Sequence, residues 1–212
     1  MDVIAINASP RKTMNTSSLL NAVNEEVATC GKSIRIYSLY EMNFKGCFSC
    51  FACKKENTKS YGKCPIKDDL FSVFEEIRNC SALILATPIY FGDVAGQLRC
   101  FLERFLFQNM IYSTPPRSLF GKRINVGMIY TMNIQETQYQ NYSLKPQIEA
   151  MEGIIKRIIG DTKSFFAFGT NQLNDYSGIE YTYINGQERL KNHKENFSKE
   201  IKRVKDFARS LI

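Results

Sequence analysis

The stretch Ala82-Leu83-Ile84-Leu85-Ala86-Thr87-Pro88-Ile89-Tyr90-Phe91-Gly92 decides the fold. Its first five residues are all apolar, whereas a strand with one wet face would alternate apolar with polar. An unbroken run of this length reads as a central parallel strand covered by helices on both faces. Pro88 then sets the direction of the chain as it leaves the strand.

Outward from this run, short β-rich segments alternate with helical spacing. Upstream, Val3 to Ile6 is a first strand. Leu19, Leu20, Val23 and Val27 give a helix face, and Ser33 to Leu39 is a second strand. Asp68 or Asp69 opens the next helix, with Leu70, Val73, Phe74 and Ile77 as its apolar stripe. Downstream, Ala95, Leu98, Phe101, Leu102 and Phe105 line a third helix, and Arg123 to Thr131 is a fourth strand. Pro146 opens a helix bearing Ile148, Met151, Ile155 and Ile158, and Ser164 to Phe168 is the fifth strand. A last helix carries Phe197, Ile201, Val204, Ala208 and Leu211. The alternation predicts an α/β fold, a doubly wound five-stranded parallel sheet with helices on both faces and its sites at the carboxyl ends of the strands. Residues 1–212 are expected to form a single domain. Three connections exceed what such a unit needs, at residues 40–67, 108–122 and 169–187.

Composition narrows the function. Hydrophobic residues make up 44% and charged residues 23%, which suits a folded domain rather than a disordered chain. One histidine, His193, excludes catalysis built on several histidines. No signal-like segment opens the chain, and no window nears the 18 or so apolar residues of a membrane span, so a cytoplasmic location without membrane attachment is expected. The net charge of +7 raises an anionic partner, but residues 189–209 hold eight basic and three acidic side chains around an apolar stripe. That pattern reads as the solvated face of a docked helix, and no nucleic-acid role is expected. His193 falls in this polar stretch and is expected to be exposed.

Between the first strand and first helix lies Asn7-Ala8-Ser9-Pro10-Arg11-Lys12-Thr13-Met14-Asn15-Thr16-Ser17-Ser18. It has no glycine, so it is neither a Walker loop nor a dinucleotide fingerprint. Its hydroxyls, its amide side chains and the free N–H groups of a helix start suit a phosphate, with Arg11 and Lys12 adding positive charge. A plain helix cap at Asn15 or Thr16 would read the same way. In the second loop, Tyr90 and Phe91 could wall a flat ring, and the backbone amides of Ile89, Tyr90 and Phe91 could bond its polar edge; an aromatic turn packed into the core is the alternative.

Ser9-x-Arg11-x-x-x-Asn15-Thr16 resembles the phosphate loop of the flavodoxin-like NAD(P)H-dependent FMN reductases, with Met14 in place of the family's commoner Ser before the Asn. Pro88-Ile89-Tyr90-Phe91 resembles their flavin loop, and the segment from Gly96 to Phe105 resembles the helix that follows it. The resemblance implies sheet order 2-1-3-4-5 and FMN held by Ser9, Arg11, Asn15, Thr16, Ser17, Pro88, Ile89, Tyr90, Phe91 and Thr131, with Asn133 a further rim candidate. It implies NAD(P)H as co-substrate, a small acceptor such as a quinone, nitro compound or flavin, and a homodimer or homotetramer. Residues 108–122 are the expected contact surface. The flavin carries the chemistry, so one histidine suffices.

Cys47-x2-Cys50-x2-Cys53-x10-Cys64 crowds four of the seven cysteines into the long loop after the second strand. Three thiols two residues apart can reach one centre, and the fourth can close it. A [4Fe–4S] cluster, zinc and free redox-active thiols all fit. The spacing is similar to that of iron–sulfur flavoproteins, apart from an insertion at Glu56 to Tyr61. The resemblance leaves open an FMN electron-transfer protein reduced by a protein partner. Cys30, Cys80 and Cys100 are expected to be small core residues.

Overall fold

The apolar run of Ala82 to Ala86 is the centre of the molecule. The structure, a computed structural model, describes residues 1–141, 144–181 and 185–212. Its strands are β1 (Val3–Asn7), β2 (Ile34–Ser38), β3 (Ala82–Tyr90), β4 (Asp93–Val94), β5 (Asn125–Thr131) and β6 (Thr162–Ala167). Helices α1 (Asn15–Thr29), α2 (Leu70–Asn79), α3 (Gly96–Asn109), α4 (Glu136–Asn141), α5 (Leu144–Ile158) and α6 (Gly186–Arg209) connect them. Of the long connection 169–187, residues 182–184 lie outside the described residues.

Strand order is β2-β1-β3-β5-β6, all parallel. Setting aside the two-residue β4, this is the expected 2-1-3-4-5 order. The register brings the carboxyl ends of three strands level, with Asn7 beside Ala86 and Pro88 beside Thr131. Any ligand at the switch between β1 and β3 meets all three ends.

Strand side chains alternate between two cores, as the pleat requires. Val3, Ala5, Ala82, Ile84 and Ala86 face Leu19, Leu20, Val23 and Val27 of α1 and Val204 and Ala208 of α6. Ile4, Ile6, Leu83 and Leu85 face the stripes of α2, α3 and α5. Each fully buried Leu, Ile or Phe contributes roughly 1.5–3 kcal/mol of transfer free energy, which explains why a chain without staples holds together.

Lys205 pairs with Glu25 at 2.8 Å and Arg209 with Glu26 at 2.5 Å, so part of the charge on α6 ties it to α1. Arg189 is buried, not solvated, and His193 is half-buried against the Phe197 ring, which corrects the expectation of an exposed histidine. Burial, with Arg189 nearby, holds the His193 imidazole below its usual value. Of the three cysteines expected in the core, only Cys80 is buried, its thiol pushed up to about 11 by burial. Cys100 is half-buried, and Cys30, at the end of α1, is exposed.

Candidate functional site

The loop after β1 is held from within. Asn7, buried at the strand end, accepts the Ser9 N–H on its side-chain oxygen at 2.9 Å and donates its amide to Ser17 Oγ at 3.1 Å. Ser17 in turn donates to the Arg11 carbonyl at 2.7 Å. These bonds turn the chain into α1, whose N-cap is Met14. Methionine carries no capping oxygen, and its side chain makes no capping bond to this helix. The plain-cap alternative for Asn15 or Thr16 is thereby removed. The N-cap residue offers the N–H groups of the first turn no side-chain acceptor, which is the condition under which a helix start favours an anion.

Across the sheet, the second loop is tighter than an open turn. β3 continues to Tyr90, and β4 folds back on it, pairing Ile89 with Val94 and Tyr90 with Asp93. The two residues between, Phe91 (φ 50°) and Gly92 (φ 81°), are both left-handed, as a two-residue hairpin of the primed type demands. Phe91 therefore stands fully exposed at the tip.

Between these loops lies a cleft of about 110 Å³. Ser9, Arg11, Asn15 and Thr16 line one side, and Pro88, Ile89 and Tyr90 line the other, with Thr131 and Asn133 from the end of β5. Thr16 and Thr131 join their hydroxyls at 2.8 Å, both buried, which locks the start of α1 to β5. The structure thus gathers eight of the ten expected flavin-binding residues around one space. The other two lie outside the lining: Ser17 sits beneath the loop as a brace, and Phe91 projects into solvent. Lys12 pairs with Glu41 outside the cleft.

Four residues were missed by the sequence reading: Met132 follows β5 at the cleft, and Thr170, Asn171 and Gln172 close the remaining side. Asn15 donates to the Asn171 carbonyl at 2.7 Å, and Arg11 donates to the Gln172 carbonyl. The only sequence signal of these last three was a polar Thr-Asn-Gln run at the end of the last strand, where a sheet of this kind keeps its sites. Tyr40 also stands near Tyr90; burial raises its phenol above the usual value, and the Tyr90 phenol adds to the shift.

A second site surrounds the clustered cysteines. Cys47, Cys50, Cys53 and Cys64 all line one small cavity together with Phe51, Arg104, Phe107 and Gln108. Ser49 (φ 53°) and Phe51 (φ 56°) take left-handed turns between Cys47 and Cys53, and Cys53 sits in a short 3-10 turn at Ala52–Lys54. The inserted segment closes on itself: Ser60 donates to the Ala52 carbonyl at 3.2 Å and Gly62 N–H to the Cys53 carbonyl at 2.9 Å. Cys64 is returned to Cys53 despite the ten residues between them. Among the described residues, no three His, Cys, Asp or Glu side chains close on a single metal-ion position; the four thiols wall a cavity.

Cations flank these thiols. Lys54 donates to the Phe107 carbonyl and to the Met110 carbonyl at 2.5 Å, tying off the end of α3, and lies 4.6 Å from the centre of the Phe107 ring. Burial lowers its ammonium below the ordinary value. Burial raises the Cys53 thiol, with Lys54 opposing. Arg104, on α3, pairs with Asp68 and donates to Cys64 Sγ at 3.4 Å. Gln108 accepts the Cys64 N–H at 2.8 Å. Two buried donors on residues that line this cavity, Arg104 Nε and Gln108 Nε2, have no hydrogen-bond partner among the described residues. Unmatched donors beside four sulfurs fit an occupant made of acceptors, such as the sulfides of an iron–sulfur cluster.

Comparison with known proteins finds relatives by sequence and by fold. An iron–sulfur flavoprotein of Archaeoglobus fulgidus is 38% identical over 104 residues, covering 49% of this chain and 48% of that protein. One of Methanocaldococcus jannaschii is 34% identical over 127 residues, 60% of this chain and 59% of that protein. The matched stretch thus spans about half the length of these curated relatives. Among solved structures, an NAD(P)H:quinone oxidoreductase from Methanothermobacter marburgensis superposes with a TM-score of 0.73 at 16% identity, over all of this chain and 96% of that one. An FMN-dependent NADH-azoreductase from Bacillus anthracis, solved with FMN, gives 0.65 at 13% identity over 100% and 99%. Both share the flavodoxin-like fold. Residues 1–157, which carry the loop after β1, the cysteine loop and the β3 hairpin, match the model of the NADPH-dependent FMN reductases, and the chain belongs to that family.

Proposed function

We propose that this chain is an FMN-dependent oxidoreductase that takes reducing equivalents from NAD(P)H and passes them to a small acceptor of the quinone, nitro or flavin class. The observation that carries this reading is the cleft at the level ends of β1, β3 and β5, with a donor-rich loop on one side and a strand end bearing Tyr90 on the other. Bound FMN supplies a ring able to take a hydride and give up electrons singly or in pairs. The chain's task is to hold and orient it. Free N–H groups at the start of α1, the Ser9 and Thr16 hydroxyls and the Arg11 guanidinium would grip the phosphate. Pro88 to Tyr90 would flank the ring, and Thr131 and Asn133 would face its ribityl or polar edge. His193 lines a separate depression with Gln135 and Phe168, so no histidine is assigned to the chemistry. Titration of the apoprotein with FMN tests the reading; a protein that stays colourless and quenches no flavin fluorescence sinks it. Anaerobic stopped-flow mixing with NADPH and NADH then asks about the donor. Rapid bleaching supports the nicotinamide, and a flavin that only a reduced protein partner can bleach supports the electron-transfer alternative.

A second reading rests on the cysteine cavity. We propose that Cys47, Cys50, Cys53 and Cys64 hold a [4Fe–4S] cluster, as the names of the iron–sulfur flavoprotein relatives suggest. The two unmatched donors support an acceptor-rich occupant over empty thiols. Iron and acid-labile sulfide, assayed on anaerobically purified protein, should be present in equal and stoichiometric amounts. Stoichiometric zinc without sulfide would replace this reading with a structural zinc site. The apolar groove between α3 and α5, lined by Leu102, Leu106, Met151 and Ile154, together with residues 108–122, supports a homodimer or homotetramer. Light scattering that reports a monomer at micromolar concentration would refute it.

A further inference from the structure

We propose that Arg104 is a positioning residue that sets the reduction potential of a cluster on the four cysteines by holding a buried positive charge and an N–H donor against the Cys64 sulfur. The inference rests on the cluster reading above and concerns this chain's own arginine. The side chain of Arg104 is 1% exposed, and its guanidinium lies 5.5 Å from the centre of the Phe74 ring. One terminal nitrogen serves Asp68 and, at 3.3 Å, the Lys45 carbonyl; the other reaches Cys64 Sγ at 3.4 Å. An arginine keeps its charge at any working pH.

Placement beside a cysteine sulfur gives that charge a function beyond latching the loop. Adding one electron to a thiolate-ligated cluster deepens the negative charge spread over its sulfurs. A cation and an N–H donor in a water-poor pocket stabilise the reduced form more than the oxidised one. Hydrogen bonds to sulfur and local charge are among the levers that set such potentials. Asp68 works against this: it shares the guanidinium and partly neutralises it. Arg104 and Asp68 should therefore move the potential in opposite directions, which a purely structural ion pair would not do.

The test is a potentiometric titration of the anaerobically reconstituted full chain, reduced with dithionite in the presence of mediators and followed by electron paramagnetic resonance, with iron and sulfide counted on each sample. For Arg104→Met the reduced-to-oxidised ratio at a fixed potential should fall at least tenfold, a shift of about −59 mV for a one-electron couple. Arg104→Lys keeps the charge but loses the second nitrogen, so its shift should be smaller and of the same sign. Asp68→Asn should shift the midpoint the other way. Should Arg104→Met fail to fold, the opposed signs of Arg104→Lys and Asp68→Asn decide the matter. Variants with full iron and sulfide and an unmoved midpoint overturn the role given to Arg104 alone. A wild type holding neither iron nor sulfide overturns the cluster reading and this inference with it.

Discussion

Replacing Ser17 by alanine would test whether the loop after β1 is pre-shaped for a phosphate. Ser17 does not line the cleft, so the substitution removes no direct contact to a ligand. What it removes is a brace: the 2.7 Å bond to the Arg11 carbonyl and the 3.1 Å bond from Asn7. Asn7 is 7% exposed, so its amide would be left buried without a partner, at a cost of about 1–3 kcal/mol. In the apoprotein the loop can escape that cost by opening to water. On binding FMN it must return to the braced shape, so the cost appears in the affinity. At about 1.4 kcal/mol per tenfold, the Kd for FMN should rise roughly five- to 150-fold. Flavin fluorescence quenching on titration of apoprotein measures it, with thermal unfolding of the same apoprotein as the companion. The expected result is a weakened Kd with the apoprotein Tm nearly unchanged. An unaltered Kd with a Tm lowered by several degrees would refute the argument, because the brace would then serve the fold and not the site.

Three further outcomes are expected. Arg11→Met should weaken FMN at least tenfold while leaving riboflavin, which lacks the phosphate, within about twofold; equal losses for both ligands would remove Arg11 from the phosphate site. Gly160→Ala should cost at least about 2 kcal/mol, seen as a Tm drop of roughly 4–8 °C, because a Cβ there would run into the Ile124 backbone and not into a side chain able to turn away. Glu26, its carboxyl held below the ordinary 4.5 by its bond to Arg209, contributes a stabilisation that is complete above that value and lost as pH falls through the lowered one. The Tm gap between wild type and Glu26→Gln should accordingly close in acid, and a gap that widens there would contradict the assignment.

Much of the sheet was readable because a parallel sheet writes itself into local sequence. Ala82 to Ala86 is apolar at every position since both of its faces meet helices, and the observed β3 contains it. The gathering of Ser9, Arg11, Asn15 and Thr16 at one cleft was equally legible, because hydroxyls and a helix start adjoin in the chain. Thr170 to Gln172 were not, since nothing near them in sequence says that the loop after β6 folds back 156 residues to meet Asn15. The hairpin at Phe91 was hidden for a different reason. Phenylalanine disfavours a left-handed backbone, and an aromatic beside glycine reads more naturally as a packed wall than as an exposed tip. Arg189 and His193 were misjudged because a helix rich in lysine conceals which of its charges turn inward.

Helix α3 begins beside the β3 hairpin and ends at the cysteine cavity, so about 12 Å of rigid rise separates Gly96 from Arg104. A helix meters rotation as well as length. Inserting or deleting one residue between those positions would swing Arg104 and Gln108 about 100° away from the cavity while leaving the hairpin untouched. The two halves of the molecule are thus kept in phase by a single element, and their spacing along the chain can change only by about whole turns. The self-closed loop at Glu56 to Tyr61 is under no such rule, because its ends meet through the Ser60 and Gly62 bonds whatever the length between them.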